Sequence, residues 1–302
     1  MIVRAAPAHV TRGKTAANRL RRIDVFTARY DPWLLRRSDG PWADAWVVDL
    51  GYGETPATTL EAAARLRRLN PRLRFLGVEI DRARVAAALP WSDDRTAFRH
   101  GGFALPLRTV DGRRETVRLI RAMNVLRQYD AAEVAGAHRT LLDHVLPGGI
   151  VLEGTSDPTG RLWTANVLRR PADGARSLDG ARSSASDSPR IATGNDVHTH
   201  AAPAAEAVVF GTNWADGFDP RRFKAVLPKD HIHRVVPGEP IHAFLAAWEH
   251  AWRTALAGGD AFGPRWLFRA AADGLRADGF DVDGRRAWLD RGILIWRRTW
   301  AS

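Results

Sequence analysis

Short apolar runs alternate with amphipathic stretches through the first half of the chain. The apolar runs predict buried strands at 45–51, 73–81, 96–107, 116–124 and 149–155. The stretches between them carry apolar residues at helical spacing and predict helices at 55–69, 82–89 and 130–146. Strands separated by helices of this length indicate an α/β fold, with a doubly wound, mostly parallel sheet and helices on both faces.

The same pattern divides the chain into four parts. They are an N-terminal helical extension (1–44), an α/β core (45–168), a flexible insertion (169–205) and a C-terminal part (206–302) that completes the sheet. The insertion is rich in Ser, Ala, Gly, Asp and Pro, and it has too few large apolar residues to offset the entropy of ordering. In the last part, strands are expected at 207–214 and 292–300 and helices at 240–256 and 264–278. A turn is expected at Pro147-Gly148-Gly149.

The N-terminal extension is basic and is predicted to form a helix from near Thr15, with Leu20, Ile23 and Phe26 as its apolar stripe. We expect removal of residues 1–24 to leave the core fold intact. We also expect this segment to fold over the functional site or to present a surface to an anionic substrate.

The segment VVDLGYGETP (47–56) lies between a predicted strand and a predicted helix. Gly51 and Gly53 let the backbone turn sharply and approach a ligand closely. A dinucleotide site needs a third glycine where this chain has Pro56. Asp49 would repel a pyrophosphate but could pair with a cation, so the loop favours a cationic cofactor over a nicotinamide dinucleotide.

DLGYG resembles the first motif of the class I S-adenosylmethionine-dependent methyltransferases. Glu79, at the end of the next predicted strand, matches the acid that binds the ribose hydroxyls in that family, and the resemblance extends over about residues 45–156. It implies a Rossmann-like core with S-adenosyl-L-methionine as cofactor, a methyltransferase activity, and an acceptor site shaped by residues 206–302. The implied cofactor contacts are Asp49, Gly51, Tyr52, Gly53, Glu79, Ile80, Phe103 and Asn124.

The chain departs from that family at two positions. Thr55 stands where a third glycine is frequent, and His100-Gly101-Gly102-Phe103 occupies the region of an acid that contacts adenine. Phe103 is expected to supply an apolar contact to adenine instead.

The acceptor end of the site is expected at 124–129. Asn124 and Tyr129 are candidate catalytic residues near the methyl group, with the alternative that Asn124 only caps the following turn. The Asn/Asp-Pro-Pro-aromatic motif typical of base amino-group methylation is missing, and without cysteine a thiolate mechanism is excluded.

A second cluster, KDHIHRVVPGEPIH (229–242), contains His231, His233, Glu239 and His242. These residue types could bind a metal, with His231 and His233 on one face of an extended segment. We favour a site without a metal, in which this loop covers the cofactor mouth and His242 acts as a general base.

The net charge of +11 and the pI near 11.1 leave RNA as an alternative acceptor. A small molecule is favoured, because the basic residues are almost all dispersed arginines. A nucleic-acid-binding protein with a vestigial methyltransferase fold and an NAD(P)-dependent oxidoreductase remain the rival interpretations. We expect a cytoplasmic protein with no membrane partner, since no apolar run reaches the roughly 20 residues of a membrane span.

Overall fold

The computed structural model describes residues 16–172, 205–258 and 262–297, and an eight-stranded sheet runs through its centre. The strands in chain order are β1 (Trp46–Leu50), β2 (Arg74–Glu79), β3 (Thr96–His100), β4 (Thr109–Val110), β5 (Arg113–Arg114), β6 (Val117–Met123), β7 (Val145–Ser156), β8 (Leu162–Arg169), β9 (Ala207–Thr212) and β10 (Ile293–Arg297). The sheet has the order β10-β9-β8-β7-β6-β1-β2-β3, and β4 and β5 form a separate hairpin.

The half of the sheet from β3 to β7 is parallel, in the order β3-β2-β1-β6-β7. Every residue of β1 and β6 is buried, because helices cover both faces of these central strands. The sheet with its helices confirms the predicted fold class, an α/β fold with a mostly parallel sheet.

The other half of the sheet is antiparallel. β7 turns directly into β8, β8 pairs with β9, and β9 pairs with β10. The sequence pattern did not predict β8, because Thr164 and Asn166 interrupt its apolar residues. Both of these polar side chains are buried under helices.

Pro147-Gly148-Gly149 does not end a strand, so the predicted turn is wrong. The three residues lie within β7, where the register against β6 shifts between Val117 and Leu119. Gly148 has a φ of +85°, and its N–H donates to the carbonyl of Arg170 on the neighbouring strand. The backbone therefore bulges here and keeps its pairing with β8.

The helices form two layers. They are α1 (Arg21–Tyr30), α2 (Pro32–Arg36), α3 (Ala57–Leu66), α4 (Arg82–Ala88), α5 (Ala131–His144), α6 (Lys229–Ile232), α7 (Pro240–Ala257), α8 (Gly263–Ala277) and α9 (Arg286–Leu289). Side chains of α1, α2, α3 and α9 pack on one face, and those of α5, α7 and α8 pack on the other. None of the described helices is long and apolar enough to cross a membrane.

The predicted stripe of the N-terminal helix is confirmed, because Leu20, Ile23 and Phe26 are buried in the core with α3. The helix itself begins at Arg21 rather than near Thr15, which lies outside the described residues. Removal of residues 1–24 would take Leu20, Ile23 and Asp24 out of the interior. The expectation that such a truncation spares the core fold is therefore wrong.

The predicted flexible insertion, 169–205, falls mostly on residues 173–204, outside the described residues. Its first residue, Arg169, ends β8, and β9 begins two residues after its last.

Candidate functional site

The loop after β1 is built on two glycines with left-handed backbone. Gly51 has a φ of +69° and Gly53 a φ of +92°, values that residues with a Cβ rarely adopt. The Gly51 N–H donates to the carbonyl of Val78 at 2.7 Å, which ties the loop to the end of β2. The glycines therefore set the path of the chain between β1 and α3.

Glu79 ends β2 beside this loop, and its side chain is buried. The carboxylate accepts hydrogen bonds from the N–H groups of Gly53 (3.0 Å) and Ile80 (2.9 Å). The guanidinium of Arg84 lies 3.9 Å from it. A parallel sheet gathers the ends of β1 and β2 at its carboxyl edge, so the acid and the glycine loop meet there.

A cleft opens at the same edge of the sheet. Glycines of two loops, those after β1 and β3, line it together with Glu79 and several apolar residues. The lining residues are Leu50, Gly51, Val78, Glu79, Ile80, Gly101, Gly102, Phe103, Val125 and Tyr129. Five predicted site residues are thus brought together: Gly51, Glu79, Ile80, Phe103 and Tyr129.

The Asp49 carboxylate binds groups of the chain itself. It accepts hydrogen bonds from the hydroxyls of Thr58 and Thr59, both at 2.8 Å, in the first turn of α3. It also forms an ion pair with Arg121 of β6 at 2.9 Å. The cation that pairs with Asp49 in the structure is therefore a guanidinium of the protein itself, whereas the sequence predicted a cation of the cofactor.

Arg121 joins Asp49 to Asp24 of α1, and all three side chains are buried. Burial by itself lowers the pKa of Arg121, but the two carboxylates more than offset this effect and leave the pKa raised. Arg65 of α3 binds the other oxygen of Asp24 at 2.6 Å, so two cations balance two anions. This network fixes α1 and α3 against the strands that carry the glycine loop.

Asn124 follows β6 in the left-handed region, with a φ of +62°. Its side chain accepts a hydrogen bond from the Ser156 N–H (3.0 Å) and donates one to the Ser156 hydroxyl (3.2 Å). Asn124 therefore ties the end of β6 to the end of β7, rather than capping the turn that follows it. Strained backbone held by such contacts is frequent at functional sites.

Arg19, from the segment before α1, reaches the same point. Its guanidinium donates to the Ser156 hydroxyl (3.1 Å), the Ser156 carbonyl (3.0 Å) and the Asp157 carbonyl (3.0 Å). A Cβ at Gly160 would lie 1.8 Å from the Arg19 carbonyl oxygen, so the turn after β7 needs a glycine there. The N-terminal segment therefore packs on the carboxyl edge of the sheet.

The aromatic residues predicted for the site face different ways. Phe103 and Tyr129 lie on the cleft with ring centroids 5.1 Å apart. The Tyr52 ring turns inward against Phe98 and Ala88. A Cβ at Gly77 would meet the rings of Tyr52 and Phe98. Tyr52 is therefore not among the residues that line the cleft.

The histidine cluster is not one site. His231 lies on α6, a helix, so the expected extended segment with His231 and His233 on one face is wrong. His231 is buried and hydrogen-bonds Asn166 at 2.9 Å, while His233 is exposed and Glu239 pairs with Arg234. Within the described ranges, no three His, Cys, Asp or Glu side chains are arranged to hold a metal.

His242 lies in the first turn of α7, which packs with α8 over the antiparallel strands, and it is not among the residues that line the cleft. The structure therefore does not bring His242 together with Glu79 and Tyr129.

The comparisons with known proteins give weak likenesses. No protein-family model and no curated protein matches the chain. Among solved structures, it is similar to the N-methyltransferase NodS from Bradyrhizobium japonicum, with 17% identity and a TM-score of 0.27 over 44% of this chain and 69% of that one. It is also similar to the magnesium protoporphyrin IX methyltransferase from Synechocystis with bound SAH, with 13% identity and a TM-score of 0.33 over 46% of this chain and 56% of that one.

Both of these proteins are methyltransferases, and the chain spans just over half the length of the second. Likenesses at this level carry no argument about the function of this chain.

Sequence reasoning missed Arg19, Arg121 and Ser156. Arg121 had a visible signal, because it is a cation in the middle of the apolar run TVRLIRAMN and must find an anion when buried. Ser156 and Arg19 had none, since their contact joins residues 137 positions apart in the chain.

Proposed function

We propose that this protein is an S-adenosylmethionine-dependent methyltransferase that binds its methyl donor in the cleft at the carboxyl edge of the sheet. The observation that carries the proposal is the position of Glu79, which lies on the cleft at the end of β2, next to a loop built on two left-handed glycines. A carboxylate at the end of the second strand suits a ribose, because it can accept hydrogen bonds from both hydroxyls.

The lining of the cleft fits the adenosine part of the donor. Glu79 would bind the ribose hydroxyls, and Ile80 and Phe103 would contact the adenine ring with apolar surface. Gly51 and Gly53 would let the loop backbone approach the methionine part without interference from a Cβ. When bound, the donor supplies a methyl group on a positively charged sulfur. A nucleophile can attack the methyl carbon, with the sulfur as the leaving group.

Asp49 then acts as a positioning residue. Its bonds to Thr58, Thr59 and Arg121 hold the first turn of α3 against β1 and β6. The loop between β1 and α3 is therefore anchored at both ends before a ligand arrives, which reduces the entropy lost on binding.

Asn124 and Tyr129 are proposed to face the methyl group and the acceptor. Tyr129 lines the cleft, and Asn124 directly precedes Val125, which also lines it. The transfer needs the acceptor atom in line with the sulfur–carbon bond, and a rigid end of β6 would hold that geometry.

A small-molecule acceptor is favoured over RNA, because many of the arginines serve the protein's own structure. Arg118 is buried and donates to backbone carbonyls around α2, including those of Leu34 (3.0 Å) and Ala45 (3.1 Å). Arg99 and Arg121 are buried in ion pairs. Such arginines add to the net charge without forming a surface that could neutralise phosphates.

Calorimetric titration of S-adenosylmethionine and, separately, NAD into the full chain tests the proposal. We expect binding of the methyl donor but not of NAD, and a loss of about tenfold to a hundredfold in affinity for Glu79→Gln. Glu115→Gln is the matched control, because the Glu115 side chain is only 9% exposed and pairs with Arg99, but Glu115 is not among the residues that line the cleft. Binding of NAD alone, or equal donor affinity in Glu79→Gln and wild type, would refute the assignment.

Transfer of a radiolabelled methyl group to fractionated small metabolites and to total RNA then identifies the acceptor class. Label in the small-molecule fraction supports the proposal as stated. Label in RNA alone would keep the activity but overturn the preference for a small acceptor.

A further inference from the structure

The surface beside the acceptor end of the cleft carries exposed arginines. We call Arg127, Arg161 and Arg222 the basic rim; all three are exposed, in segments that follow the carboxyl ends of β6, β7 and β9. Arg127 lies between Val125 and Tyr129, which both line the cleft. Two peptide links separate it from each of them, so the Cα atoms of both lie less than about 8 Å from that of Arg127.

Hydrogen bonds and ion pairs join these three segments to one another. One guanidinium nitrogen of Arg127 donates to the Ala225 carbonyl at 2.7 Å, so the helical turn that contains Arg222 packs beside the end of β6. Asp216, after β9, binds Arg222 with one carboxylate oxygen and Arg161 with the other, both at 3.1 Å. The basic rim is therefore one connected surface.

The whole rim lies within the span of a small molecule bound at the end of β6. Arg161 lies in the turn from β7 to β8, and adjacent strands are about 5 Å apart, so this turn lies about 5–10 Å from the end of β6. The hydrogen bonds between Asn124 and Ser156 tie the ends of β6 and β7 together. Arg161 and Arg127 are therefore held at fixed positions on either side of this junction.

Most of the hydrogen-bonding capacity of Arg127 faces solvent. Within the described residues, its side chain bonds to the Ala225 carbonyl and forms no ion pair. A guanidinium has five N–H donors, so four remain for a ligand. Asp130, the carboxylate nearest to Arg127 along the chain, is engaged in the N-terminal cap of α5. The other two arginines share Asp216, so three guanidinium groups and one carboxylate leave two positive charges in excess.

The proposed methyl donor does not explain this excess of positive charge. Its sulfur is itself positively charged, so guanidinium groups near the methyl end of the cleft would oppose its binding. An anionic acceptor would offset that repulsion and would be attracted by the donor and the rim alike. The planar fork of a guanidinium also matches the oxygens of a carboxylate or a phosphate in two parallel hydrogen bonds.

We propose that the acceptor is a small molecule with a phosphate or carboxylate group, which the basic rim binds while another atom of the molecule is methylated. The inference rests on the proposed methyltransferase function. Two excess charges suit one such anionic group. RNA is disfavoured, because its affinity depends on neutralising many phosphates along the chain.

Titration of the full chain with inorganic phosphate, followed by NMR of the arginine side-chain N–H signals, tests the rim without any acceptor. Wild type should bind phosphate, more weakly as sodium chloride is added. Arg127→Gln should bind about tenfold more weakly, and Arg127→Lys, which keeps the charge without the fork, should lie between the two. Arg68→Gln, at an exposed position just after α3, is the matched control and should bind like wild type. Equal binding by wild type and Arg127→Gln, or no binding at all, would overturn the assignment.

Mass spectrometry of the product from the labelling assay tests the acceptor itself. The labelled product should carry a phosphate or carboxylate group, because that group is bound by the rim and is not the atom that is methylated. It should also survive treatment with ribonuclease. A product without an anionic group, or label that ribonuclease releases from RNA, would overturn the proposal.

Steady-state kinetics with that acceptor separate binding from a merely structural role. Arg127→Gln should raise the KM for the acceptor about tenfold and lower kcat less, with an unchanged Kd for S-adenosylmethionine. Arg127→Lys should restore part of the affinity for the acceptor. A fall in kcat alone, or a weaker Kd for the methyl donor, would show that Arg127 only supports the end of β6. Circular dichroism and thermal unfolding check that each variant is folded.

The outcomes separate the two proposals. Wild type that binds no methyl donor refutes the proposed function, and the acceptor role of the rim falls with it even if phosphate binds there. Wild type that transfers the methyl group to an uncharged acceptor, with an unchanged KM in Arg127→Gln, refutes the role of the rim alone.

Discussion

Replacement of Arg121 by Met should be the most destabilising single change near the candidate site. The substitution keeps most of the side-chain volume but removes the cation between Asp24 and Asp49. It also removes the hydrogen bond from the guanidinium to the Thr58 carbonyl at 2.9 Å. Arg65 would still bind Asp24, but within the described residues Asp49 would keep only hydroxyl donors.

The magnitude follows from the burial of the network. Removing one partner of a buried ion pair typically costs about 3–5 kcal/mol, because the remaining charge stays out of water. A protein of ordinary stability has about 5–15 kcal/mol in total, so Arg121→Met should remain folded at room temperature with a clearly lowered urea midpoint. Asp49→Asn combined with Arg121→Met should cost less than the sum of the two single changes, since the double variant buries one charge fewer.

Equilibrium urea unfolding at pH 7 and near pH 4 is the assay. Asp24 already has a raised pKa, mainly because of burial, and loss of Arg121 removes the guanidinium that lowers it. The free energy of unfolding of the variant should therefore rise relative to that of wild type as the pH falls and the carboxylates take up protons. Arg68→Met, at an exposed position just after α3, is the control and should change stability by less than about 0.5 kcal/mol. A cost below about 1 kcal/mol for Arg121→Met, equal at both pH values, would refute the reasoning.

Three further changes test other parts of the structure. Gly211→Ala should cost about 1–3 kcal/mol in urea unfolding, because the new Cβ would lie 2.1 Å from the Trp163 indole. Gly258→Ala should leave stability unchanged, because its Cβ would make only ordinary van der Waals contacts. Equal values for the two variants would contradict this packing. Arg19→Gln should speed amide hydrogen exchange in residues 16–20, since it removes donors to Ser156 and Asp157; unchanged exchange would show that the segment is held otherwise. The hydrogen bond and charge of Glu153 outweigh the effect of burial on His138 and leave the pKa of His138 raised. The ion pair between protonated His138 and Glu153 therefore stabilises the fold fully below the unfolded pKa of 6.5. This stabilisation is lost as the pH rises above that value. Wild-type stability should accordingly fall as the pH rises above about 6.5, and an equal fall in His138→Asn would contradict the role of His138.

The parallel half of the fold could be predicted because its signals are local. Residues 45–51 and 73–81 are apolar runs bounded by glycine, proline or charged residues, and the strands observed there differ by one or two residues at each end. The loop glycines could be recognised for the same reason, since the need for left-handed backbone depends on a few neighbouring residues.

The rest depended on contacts between distant parts of the chain. The partner of Asp49 is Arg121, 72 residues further on, and no local pattern distinguishes it from a ligand's amino group. β8 was missed because its buried Asn166 is satisfied by Asp230 and His231, which follow more than 60 positions later. The position of β10 beside β9 likewise follows from packing over the whole antiparallel half.

The pairing of β8 with β9 has a consequence for engineering. Val167 lies opposite Ala207, so the chain leaves the sheet after Arg169 and re-enters it on the adjacent strand. Both points lie at the amino edge, since Arg169 faces Ile150 near the start of β7, whereas the cleft lies at the carboxyl edge. Excising residues 173–204 and closing the gap with a short hairpin, or grafting an affinity tag or a reporter domain there, therefore changes the protein at the end of the sheet remote from the candidate site.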